Sequence, residues 1–116
     1  MKYPTLLLLL ALSAASLAAD SQNLTGSFSI GGATLIDPPA DEPRNSHIYF
    51  EITGKAAERI YQMIKSEPML DLCLDDGAMT KFADKVQCQA HPDKGEYACF
   101  FSLDVNANTI GEGVAC

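Results

Sequence analysis

VQCQAHPDKGEYACFF, residues 86 to 101, sets two cysteines at equal distances from a Pro-Asp-Lys-Gly centre, and its reading decides the fold. Pro, Asp and Gly in succession are turn chemistry between two apolar runs. With the turn at Pro92 to Gly95, Cys88 faces Cys99, Val86 faces Phe101 and Phe82 faces Val105, so the apolar sides of two antiparallel strands coincide. A directly opposed pair can meet the roughly 5.5 Å Cα separation that a disulfide favours, which makes the motif a clamp across a hairpin. A redox pair would need an exposed, easily ionised thiol, usually in C-x-x-C at a helix start, and the stretch offers neither.

The segment NANT, residues 106 to 109, reads as a second turn. It sets Val105 against Ile110, Phe101 against Val114 and Cys99 against Cys116, giving three cysteines in one row on the core face. Two pairings then compete. Cys88 with Cys99 and Cys73 with Cys116 is favoured, because the second bond anchors the end of the chain; the other joins Cys99 to Cys116 and Cys73 to Cys88.

The cysteines are read this way because of what precedes them. Residues 1 to 18, MKYPTLLLLLALSAASLA, combine Lys2, a leucine run and a small-residue end, the pattern of a secretory signal peptide. Residues 19 to 116 then form the mature chain, a single small domain stapled by its disulfides in a periplasmic or secreted setting. The apolar run is short for a bilayer span, and no membrane insertion is expected after cleavage. Zinc is the weaker reading of the cysteines, since no C-x-x-C spacing occurs and only His91 lies close by.

Upstream of the hairpin, residues 24 to 30 (LTGSFSI) and 47 to 53 (HIYFEIT) alternate apolar and polar side chains, as half-buried strands do. Between them DPPADEPRNS, residues 37 to 46, is too rich in proline and charge for regular structure. From Gly54 or Lys55 the period changes: Ala56, Ala57, Ile60, Tyr61 and Ile64 share a helical face opposite Lys55, Glu58, Arg59, Gln62 and Lys65. Pro68 stops that helix. The expected architecture is α+β: an antiparallel sheet of about five strands in the order β-β-α-β-β-β, covered on one face by one short helix. Ile60 and Ile64 should lie over Phe101, Val114 and Cys99.

The chain carries 8 basic and 15 acidic residues, a net charge of −7. Phosphate backbones repel such a chain, so nucleic acid is not an expected partner, whereas a basic protein would be attracted. No catalytic, cofactor-binding or metal constellation is legible. His47 opens a strand and His91 follows one, neither beside a nucleophile motif. Asp71, Asp75 and Asp76 could offer oxygens to calcium but lack the alternating order of a calcium loop. Glu51 and Glu58 fall on solvent faces without a matched partner, and Asn23-Leu24-Thr25 fits a glycosylation sequon that a bacterial exporter leaves bare. What remains is a surface: the loop bearing Asp37, Asp41 and Glu42, with Phe100, which alternation turns away from the helix between Ala98 and Ser102.

Ala56-Ala57-Glu58-Arg59-Ile60-Tyr61, then Val86-Gln87-Cys88, then Tyr97-Ala98-Cys99-Phe100-Phe101 resembles a loose group of small exported bacterial proteins of unknown function, over roughly residues 47 to 110. The resemblance implies a Gram-negative periplasm and no particular activity; Cys73 and Cys116 are additions to that pattern. The expected function is a binding or inhibitory module acting on another exported or envelope protein. A small periplasmic enzyme with an unrecognised site, or a structural or assembly component of the envelope, is the alternative.

Overall fold

The computed structural model describes residues 20–116; the expected signal peptide lies outside the described residues. Its elements are β1 (Thr25–Gly31), β2 (His47–Thr53), α1 (Gly54–Met63), β3 (Met69–Leu70), β4 (Met79–Ala83), β5 (Val86–His91), a 3-10 turn at Pro92–Lys94, β6 (Glu96–Asp104) and β7 (Thr109–Gly111). The strands form one antiparallel sheet in the order β1-β2-β6-β5-β4-β3, with β7 beside β6. The α+β class and single helix are as expected, but the sheet has 7 strands rather than about five. The additions are β3 and a separate β4. The chain reverses at Asp84, which sits at φ 51, so Phe82 pairs with Gln87 instead of Val105. Aspartate tolerates that left-handed backbone, yet Asp84-Lys85 has no glycine to announce a hairpin.

The opening hairpin is as read: Cys88 lies opposite Cys99, with their Cα atoms 4.0 Å apart, and the two are bonded. Cys73 is bonded to Cys116, the favoured second pair. Two disulfides suit a chain matured in an oxidising compartment. The three-cysteine row does not form. Cys99 has Ile52 of β2 on one side and Cys88 of β5 on the other, so no edge of β6 is left for Cys116. The last strand pairs where β5 has ended, Leu103 with Ile110 and Ser102 with Gly111, two residues out of the expected register.

The core is Ile52, Ala57, Tyr61, Ile64, Cys88, Ala90 and Cys99, with Ile60, Tyr97 and Phe101 packed against it. An isolated ten-residue helix is marginal in water, so α1 persists because this face is buried. Thr53 is its N-cap residue but makes no side-chain capping bond. Gly54 opens the helix at φ 67, with Thr25 Oγ1 so close that an added Cβ would meet it at 2.8 Å. A side chain there meets both strain and contact. Val114 is not under the helix; it is 53% exposed, in the tail that follows β7.

Candidate functional site

Successive side chains of a strand point to opposite faces, so the registers define rows across the sheet. The first row on the helix face is Ile52, Cys99 and Cys88, under α1. The next is aromatic: Phe28, Phe50 and Phe101 on β1, β2 and β6. Phe50 and Phe101 stack with ring centroids 5.1 Å apart. The third is aliphatic: Ile30, Ile48, Leu103 and Ile110 on β1, β2, β6 and β7. A helix of ten residues is only about 15 Å long. It covers the first row and reaches Phe101, leaving Phe28 69%, Ile30 61% and Ile110 55% exposed. Seven apolar side chains in two rows thus form a face continuous with the core, with Phe28, Ile30 and Ile110 exposed and Ile48, Phe50, Phe101 and Leu103 half-buried.

The opposite face is covered by a different device. Residues 112 to 116 cross it, held by Ser102 Oγ donating to Glu112 O at 2.6 Å and by the Cys73–Cys116 bond. Gly113 runs so close to β6 that an added Cβ would stand 2.7 Å from Phe100 Cβ. Phe100 does point away from the helix, but it is only 8% exposed. The expectation that it stands in solvent is corrected: the tail leaves the sheet after Gly111 and lies over it. Glu42 is also occupied, its carboxylate accepting from Thr34 Oγ1 at 2.7 Å and Thr34 N at 3.2 Å. Asp37 and Asp41 are exposed on the same loop. That loop closes through Ser46 N donating to Gly31 O and Tyr49 Oη donating to Gly32 O, at the end of β1 next to Ile30. The expected surface is therefore divided: Phe100 lies under the tail, while the acidic loop packs at Gly32 and Tyr49 with Glu42 held by Thr34.

The acidic segment turns inward. Asp71 is buried; Oδ1 accepts from the backbone of Cys73 (3.0 Å) and Leu74 (2.8 Å), and Oδ2 from Thr80 Oγ1 (2.6 Å) and Gln89 Nε2 (3.0 Å). The Thr80 hydroxyl and Leu74 amide, helped by Gln89 and Cys73, hold its carboxyl below the ordinary value against the opposing effect of burial. It organises residues 71 to 80, including the approach to Cys73. Asp76 accepts from Ala78 N and pairs with His91 at 2.8 Å, and this pairing with His91 is the main reason its carboxyl is held low. Asp75 is exposed at φ 49, and its N–H donates to Asp71 O. Among the described residues no group of three His, Cys, Asp or Glu side chains is placed to hold a metal ion.

His91 also approaches Glu96 at 3.9 Å through its other ring nitrogen. Beside it lies an open cleft of about 500 Å³, lined in part by Glu51, Gln89, Glu96 and Phe100. Both histidine nitrogens thus face carboxylates, a polar strut between β5 and the loop before β4. His47, which opens β2, is similarly engaged: Ser46 Oγ lies 2.7 Å from Nδ1, Asp104 Oδ2 lies 3.5 Å from Nε2, and the ring stacks on Tyr49. No described helix is long and apolar enough to cross a membrane.

The apolar rows were missed in the sequence although each strand's alternation was read there. The signal lay in lengths: seven-residue strands extend about 23 Å, beyond the reach of a ten-residue helix. No protein-family model, curated protein or solved structure matches the chain.

Proposed function

We propose that this chain is a periplasmic protein-binding module that holds another exported or envelope protein against the uncovered half of its sheet. The observation that carries the reading is the double row Phe28-Phe50-Phe101 and Ile30-Ile48-Leu103-Ile110. Side chains left in water cost stability that their burial against a partner would recover, and contiguous apolar patches on small proteins mark contact sites. The partner has an apolar centre and basic surroundings, because the rows are apolar and the chain carries −7. Where that partner is an enzyme, the module acts as its inhibitor.

The test is affinity capture from periplasmic extract with the mature chain, its Phe28→Ser/Ile30→Ser variant, and a Phe82→Ser control. Phe82 is 42% exposed and paired with Gln87, outside both rows. A protein retained by the wild type and the control but lost from the double variant supports the reading. Equal retention by all three overturns it.

A further inference from the structure

Among the described residues the sheet has one long free edge. At its far end β3 has two residues and β7 has three, too short to template another strand, whereas β1 runs Thr25–Gly31 with every residue except Gly31 exposed. Proteins usually protect such an edge with lysine, proline or a covering segment. TGSFSIG contains no charge and no proline, and the uncharged run extends from Ser21 to Ile36 in a chain of net charge −7.

We propose that a second copy of this chain adds to the β1 edge, antiparallel about a two-fold axis at Ser29. The charge distribution selects this occupant. A like-charged copy is repelled over most of the surface but meets no ionised group along residues 21 to 36. The pattern selects the register. Gly26 lies at φ 151, so the regular edge is Ser27–Gly31, whose middle residue is Ser29. Centring there sets Phe28 against Ile30 of the other copy and Ile30 against its Phe28, two aromatic–β-branched cross-strand pairs. Opposed residues of an antiparallel pair share a face, so the aromatic row of each copy continues into the aliphatic row of the other. The contact is isologous and closes as a dimer. It shares Phe28 and Ile30 with the partner-binding reading but is tested through Ser29 on the opposite face, so that either can fail alone.

Sedimentation equilibrium of the purified mature chain, from micromolar to millimolar, should show the mass rising from one chain to two. A mass that stays at one chain, or passes beyond two, overturns the proposal. Ser29→Lys and Ser29→Glu each place like charges directly opposite across the axis and should weaken self-association about fivefold. An equimolar mixture should associate more tightly than either alone, through Lys facing Glu. Ser29 is exposed, so thermal melts of both variants should match the wild type. Single variants that associate as the wild type does, or a mixture no tighter than its components, would exclude an axis at Ser29.

Discussion

Lys81 Nζ lies 4.5 Å above the ring of Tyr61 and donates to Tyr61 O at 3.3 Å and to Ile64 O at 3.2 Å. A strand lysine thus supplies the positive group that a helix C-terminus favours, at an end with no basic residue in its own last turn. Lys81→Met keeps the stem and removes the donor; it should cost roughly 1–3 kcal/mol in urea melts, the range for lost charged hydrogen bonds. A change within error would mean that the lysine only covers the ring.

Helix packing makes a graded prediction. Ile64 is buried, Ile60 half-buried and Gln62 exposed. Ile64→Ala should cost about 2–5 kcal/mol, Ile60→Ala less, and Gln62→Ala under about 0.5 kcal/mol. Equal losses at Ile60 and Ile64 would contradict the difference in burial between the two.

The Cys73–Cys116 bond closes a separation of 43 residues, against 11 for Cys88–Cys99. In the chain-entropy picture the longer closure restricts the unfolded chain more, worth about 4 kcal/mol. Replacing both Cys73 and Cys116 by serine should lower stability by about that amount and free the tail. Faster proteolysis after Gly111 would report the release, with Phe100 becoming accessible beneath it.

Acid should destabilise the fold through Asp71. Its carboxyl is held below the ordinary 3.8 in the folded chain, so the unfolded chain binds the proton first. The stabilisation is complete above the unfolded value and is lost as pH falls through the folded one. Stability should therefore decline on acidification from about pH 5 downward. Asp71→Asn should flatten that slope, and at neutral pH should cost roughly 1–3 kcal/mol by setting an amide against the Gln89 donor. An unchanged acid slope would remove Asp71 from this role.

Gly113→Val should lift the tail without touching the helix. The close passage over Phe100 and Phe101 leaves no space for a side chain, so Phe100 should gain solvent exposure in hydrogen exchange and oxidative footprinting while Ile64 stays protected.

What the sequence determined by itself was local. Period-two alternation placed β2 at His47–Thr53, the change of period at Gly54 placed α1, and the symmetry about Pro92 to Gly95 paired Cys88 with Cys99. Those features depend on backbone geometry within a few residues, which side-chain order records directly. Only tertiary structure decided which edges were already taken. With Ile52 and Cys88 flanking Cys99, β7 had to pair farther along β6 and Cys116 had to cross the other face to Cys73. That displacement buried Phe100, while the short reach of α1 exposed Phe28 and Ile30. Each strand's alternation states that one face is apolar. Whether a helix, a tail or solvent meets that face depends on how far the neighbouring elements extend, which no single stretch of sequence contains.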